Sequence, residues 1–306
     1  MLLSCCSPIE KNKKTPTFPK LDAIDGEAAL KLVEKQLAFG PRVVNSTSAK
    51  KCAKFIATFA ENLGYNVSID TWVEGSGAES RVFRNIICEK SGQGNQFVLA
   101  GSHYDTKILP NFVGANDGAS STALLMQVMK QIAQNKQWAH HCGMRFVFFD
   151  GEEAIHMYTN KDGLNGSRRY AKQIYQNNDY QNCRAMLLMD MVGDKDFKLT
   201  IPTNSSSELI VKTEQIAKHL GYEKHVSRLD ANEFHDDHKP YLQLGIQAID
   251  LIDFEYGVKT ADNGGGSFWH TPEDTIDKLS ADSLAKCGLI FSHLLWQLSN
   301  NPIKKQ

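Results

Sequence analysis

The chain has 306 residues, 42% of them hydrophobic and 23% charged, and its 34 Lys and Arg against 35 Asp and Glu leave a formal net charge of −1. That composition excludes collagen-like and broadly disordered classes, and a near-neutral chain has no electrostatic basis for nucleic acid as its main partner. No apolar run approaches the roughly 18 residues of a membrane span, so no transmembrane helix is expected, and the length suits one large α/β domain or two small ones.

Seven cysteines stand at 5, 6, 52, 88, 142, 183 and 287, irregularly spaced and without a CxxC pair. This is neither a disulfide framework nor a structural zinc cluster. Cys52, Cys88, Cys142 and Cys183 lie in apolar surroundings and are expected to be buried thiols. Met1-Leu2-Leu3-Ser4-Cys5 is similar to the end of a bacterial lipoprotein signal, although the usual basic region and long apolar stretch are missing. Cys5 is therefore a candidate lipid-anchor site, against the alternative of a frayed cytosolic terminus. Residues 7–20 are polar and rich in Lys and Pro, so 1–20 is expected to be a flexible leader and 21–306 a single domain.

From Ala28 to Phe39 apolar residues recur at helical spacing until Gly40-Pro41 stops them. A second amphipathic helix is predicted over Ser46 to Gly64, with Ser46 as its cap. Asn66–Val73 and Val82–Glu89 alternate like a hairpin around Gly75–Gly77. Strands follow at Asn95–Ser102, Met144–Phe149, Ala185–Met189 and Gln247–Ile252. Helices are predicted over Asp117–Gln134, Ser167–Gln176, Ser207–Leu220 and Ser280–Ser299. Apolar strands alternating with helices predict an α/β three-layer sandwich, its mixed but mostly parallel central sheet covered on both faces.

In such sheets ligands bind outside the carboxyl ends of the strands. Here those ends carry His103-Tyr104-Asp105, Asp150-Gly151-Glu152-Glu153 and Asp190, and the last strand leads through a Gly-rich loop to Phe268-Trp269-His270. Gly114–Ala119 places Asp117 at an expected helix N-terminus, where a carboxylate is favoured. Taken singly each residue has a bland explanation: a cap, a loop histidine, a solvated pair. Converging on one sheet edge, several carboxylates and two histidines would repel unless protons or a cation neutralised them. His plus carboxylate ligation suits zinc, and an open coordination position makes such a site catalytic.

This set of residues resembles the zinc-dependent exopeptidase clan that includes bacterial di-zinc aminopeptidases, and within it most resembles the glutaminyl-peptide cyclotransferases (glutaminyl cyclases). The resemblance runs from about Phe39 to Leu279. Three details favour the cyclase branch: the Ile155–Asn165 insertion after Phe148–Ala154, Asp236 two residues before His238, and the aromatic Trp269 directly before His270. The resemblance implies Asp117, Glu153 and His270 as ligands of one Zn2+, with Glu152 as general acid/base. It also implies Asp190 and Asp236 as an acidic network beside it, and Trp269 as a wall of the substrate pocket. In the di-zinc aminopeptidases His103 and Asp190 hold a second metal, bridged by Asp117; cyclases also retain both residues. One zinc is expected, or two if the chain is an aminopeptidase.

The implied reaction is cyclisation of the N-terminal Gln of a peptide or protein to pyroglutamate with loss of ammonia. The alternatives are a zinc aminopeptidase of the same clan and a non-catalytic zinc-binding domain that kept the fold. The resemblance favours an exported protein, periplasmic or lipid-anchored, with a cytoplasmic address left open. Three positions depart from the family pattern. A pocket Trp of many animal cyclases falls near Met157, a His is replaced by Asp250, and Ser102 stands where animal enzymes carry a disulfide Cys.

Overall fold

Eight strands pair into one sheet in a computed structural model that describes residues 18–135, 138, 141–159, 161–229, 234–259 and 264–300. Cys5, Cys6 and the rest of the leader up to residue 17 lie outside the described residues. The strands are β1 (Asn66–Glu74), β2 (Arg81–Lys90), β3 (Phe97–His103), β4 (Gly143–Phe149), β5 (Cys183–Asp190), β6 (Leu199–Pro202), β7 (Val226–Leu229) and β8 (Ala248–Ile252), in the order β1-β2-β4-β3-β5-β8-β6-β7. The central four, β4, β3, β5 and β8, run parallel. The predicted hairpin β1–β2 joins β4 antiparallel at one side, and β6 lies antiparallel to β8 and parallel to β7 at the other.

The helices are α1 (Gly26–Leu37), α2 (Thr47–Asn62), α3 (Ser121–Gln134), α4 (Asn165–Gln176), α5 (Ser207–Leu220), α6 (Lys239–Gln243) and α7 (Ala281–Asn300). Every residue of β3 is buried. Val98 and Ala100 face a core built with α1, α2, α3, α5 and α7, whereas Phe97 and Leu99 face a second core built with α4 and α6. Coverage on both faces explains why β3 to β5 read as unbroken apolar runs, while edge strand β1 carries exposed polar residues. Asp25 and Ser46 cap α1 and α2 by accepting the N–H of Ala28 (2.9 Å) and Ala49 (3.0 Å). Cys52, Cys88, Cys142, Cys183 and also Cys287 are buried free thiols. Among the described residues no helix is long and apolar enough to cross a membrane.

One expectation needs correction. Asp117 does not open a helix: α3 starts at Ser121, and Asp117 (φ −101°, ψ 95°) sits in a kinked turn over Ala115–Ser120. The short elements β6, β7 and α6 escaped the sequence reading because four or five residues are too few to display a period.

Candidate metal centre

The parallel strands deliver the polar residues to one rim. β3 ends on His103, β5 ends on Asp190, and Asp150 follows β4 directly, leading to Glu152 and Glu153. The turn before α3 brings Asp117, and the loop after β8 returns to bring His270.

Two triads meet there and share Asp117. In the inner triad His103 Nε2 lies 3.0 Å from Asp190 Oδ1 and 3.2 Å from Asp117 Oδ1, with a longer contact of 3.5 Å from Nδ1 to Asp105. In the outer triad His270 Nε2 lies 3.3 Å from Asp117 Oδ2 and 3.1 Å from Glu153 Oε1. Donor atoms around a tetrahedral zinc at 2.0–2.1 Å stand about 3.3 Å apart. The outer triad fits that spacing with one imidazole and two carboxylates. The charge agrees: burial opposes protonation of His270, but hydrogen bonds to Asp117 and Glu153 outweigh it and raise the imidazole to about 9. Burial would raise Asp117, yet its hydrogen bonds to His103 and His270 hold it below the ordinary carboxylate range. A pocket that pulls this strongly on protons has the charge to hold a cation.

Backbone and buried side chains hold the centre rigid. Arg42 is fully buried, and its guanidinium donates to the carbonyls of Tyr104 (2.9 Å), Val113 (2.9 Å) and Gly114 (2.7 Å), fixing the segment that carries Asp117. Asp274 accepts the N–H of Asn116 (2.7 Å) and Asp117 (3.2 Å) and the hydroxyl of Tyr256 (2.8 Å). Asp105 accepts the N–H of Glu152 (3.2 Å) and Glu153 (3.3 Å), which ties the two glutamates to the loop after β3. A side chain on Gly118 would begin 2.4 Å from His103 Nε2, so only glycine lets the turn approach that ring. His270 itself adopts φ 54°, a conformation rare outside glycine and typical of functional sites. Its ring stacks on Trp269 at 4.0 Å and meets the edge of Phe112 at 6.2 Å.

The outer triad opens on a cleft of about 940 Å³. Glu152, Trp269 and Asp236 line it, as expected, together with Phe254, Phe234 and Lys107. Burial pushes the Glu152 carboxyl well above its usual value, and Glu153 beside it adds to the effect. Asp236 is raised by burial and then by Asp190, and Asp250, at the position that departs from the family pattern, is raised by burial and then by Asp236. Burial and mutual repulsion thus favour the protonated forms of these carboxyls. Asp190 Oδ1 also accepts from His103 Nε2.

The aromatic wall differs from the sequence reading. Met157 is 71% exposed, and the neighbouring Tyr158 is the aromatic of the insertion that faces the cleft. Its hydroxyl donates to Glu152 Oε1. Tyr158 stands next to the position near Met157 where many animal cyclases carry a pocket Trp, and the sequence signal for it is an aromatic six residues after Glu152. Arg42, Asp274 and Lys107 were also not singled out, and Asp105 was named only as part of the strand-end set.

The model of peptidase family M28 matches residues 85–295. The chain belongs to peptidase family M28. Among solved structures, a glutaminyl cyclase from an Acidobacteriales bacterium is 32% identical, with a TM-score of 0.83, over 94% of this chain and 99% of that one. A glutaminyl-peptide cyclotransferase of Drosophila melanogaster is 25% identical over 82% of this chain and 76% of its own length. A leucine aminopeptidase precursor from Bacteroides thetaiotaomicron shares the fold at a TM-score of 0.76 and 24% identity, covering 92% of this chain and 99% of that one. The fold therefore spans both chemistries, as the resemblance implied.

Proposed function

We propose that the chain cyclises the N-terminal glutamine of peptides or proteins to pyroglutamate and releases ammonia, with one zinc ion held by Asp117, Glu153 and His270. The observation that carries this reading is the 32% identity to a solved glutaminyl cyclase over nearly the whole chain, since the shared fold alone leaves a peptidase open. The donor set fits zinc in type, spacing and charge.

Bound there, zinc would supply a Lewis acid that polarises the γ-carboxamide carbonyl of the substrate. The chain's own residues do the rest. The nucleophile is the substrate's α-amine, whose pKa of about 7.7–8.0 leaves an appreciable neutral fraction near pH 7. Glu152, its carboxyl raised above the usual range by burial, takes one proton from that amine as the new C–N bond forms. It returns the proton to the departing amide nitrogen, which leaves as ammonia. Asp236, Asp190 and Asp250 form the buried acidic group beside it. Trp269, Phe254 and Phe234 enclose the glutamine side chain and exclude water, which suppresses hydrolysis of the amide.

The test uses two fluorogenic substrates. Gln-aminomethylcoumarin should yield ammonia without free fluorophore, and Leu-aminomethylcoumarin should stay intact. Release of fluorophore from the leucine substrate without ammonia from the glutamine one would replace the cyclase by an aminopeptidase.

A further inference from the structure

We infer that Tyr158 is a positioning residue for Glu152: its phenol fixes one carboxylate oxygen so that the other faces the reacting amine. The inference rests on the reading of Glu152 as the proton carrier. Four features of the insertion carry it.

First, the hydroxyl donates directly to Glu152 Oε1, and the phenol is held protonated by burial and by the carboxylate it faces. Second, the turn that presents the ring is built for one conformation. The Asp162 carboxylate accepts the N–H of Ile155 (2.8 Å), His156 (2.8 Å) and Met157 (3.1 Å), and the Thr159 hydroxyl accepts the N–H of Asp162 (3.0 Å). Third, the ring lies across the backbone of Gly163 (φ 89°), where a Cβ would come within 2.9 Å of Tyr158 Cζ. Fourth, the exit of the turn returns to its target, with Leu164 N–H donating to the Glu152 carbonyl at 2.8 Å. A turn this tightly bonded, whose polar tip meets the one carboxylate that must be aimed, does more than wall the cleft. A wall alone needs only the ring. A charge-assisted hydrogen bond adds orientation, because a glutamate free to rotate presents either oxygen at a range of angles.

The test separates the hydroxyl from the ring. In Tyr158→Phe, which keeps the ring, kcat should fall about tenfold while KM stays within about twofold. In Tyr158→Leu, which loses the ring as well, KM should rise in addition. Adding Tyr158→Phe to Glu152→Gln should change the residual kcat by less than about twofold, because the oxygen it aimed no longer carries a proton. Wild-type kcat in Tyr158→Phe would overturn the inference, as would a full tenfold further loss in the double variant. Turnover of the leucine rather than the glutamine substrate by the wild type would remove the cyclase reading while leaving this test to run on the peptidase reaction. Turnover of neither substrate would remove both.

Discussion

The two triads that meet at Asp117 are built from the same residue types and differ in access. The side chains of His103, Asp117 and Asp190 are 1%, 4% and 11% exposed, and Gly118 presses against the His103 ring. The outer triad has His270 at 22% and opens on the cleft beside Glu152. Asp117 and Asp190 line that cleft too, but only the outer triad brings its histidine to it, and a catalytic metal needs a free direction. Access, rather than ligand type, assigns the chemistry. The sharpest break of this comparison is at Glu152. Glu152→Gln should lower kcat by about 10³-fold and leave the zinc content, measured by elemental analysis, at the wild-type level. Near-normal turnover in that variant would move the proton carrier away from the outer side.

The histidines break the comparison in the other direction. His270→Ala should weaken zinc binding by more than about 100-fold, beyond the roughly 10–100-fold of an outer-shell partner, and His103→Ala should stay within that smaller range. Chelator competition measures both. Equal losses, or two zinc ions per wild-type chain, would make the inner triad a metal site too. A related effect is readable without activity. In zinc-free protein His270 holds its proton up to about pH 9 against an ordinary value of 6.5. A group raised on folding stabilises fully below the lower value and loses that stability as pH rises through the higher one. Thermal stability of stripped wild type should therefore decline between about pH 6.5 and 9, by about 3 kcal/mol at most. His270→Ala should shrink that decline, the remainder coming from His103, whose imidazole Asp190 and its other carboxylate partners raise against burial; an undiminished decline in the variant would assign it to other groups.

The same contrast between what faces the cleft and what lies behind it decides how much the sequence could say. β3, β4 and β5 were legible because strands covered on both faces are mostly apolar, with Arg145 and Arg184 only near the entry ends of β4 and β5, and the residues at their carboxyl ends stand out by being polar. Asp117, Glu153 and His270 could be singled out by residue type and motif, although they lie up to 153 positions apart. Arg42 and Asp274 could not, because their partners are chiefly main-chain N–H and C=O groups that every residue carries. Asp117 was misplaced at a helix start because Gly118 and Ala119 read equally well as a first turn, whereas the approach to His103 bends the backbone out of helical geometry. Tyr158 was not singled out, since a short loop has no period to fix which side chain turns to the cleft.

Lys107 offers the smallest and most local test. Its ammonium lies 3.0 Å from Glu153 Oε2, the oxygen that does not face His270. A carboxylate bonded on one oxygen presents the other in a fixed direction, and metal sites lose affinity when such a partner is removed. Lys107→Met keeps the stem that packs along the cleft and removes the donor. Zinc affinity should then fall about tenfold, with KM for the glutamine substrate unchanged. A rise in KM at constant zinc affinity would mean that the ammonium acts on the substrate instead. The Glu153 side of the outer triad would then owe its geometry to the bond from its N–H to Asp105.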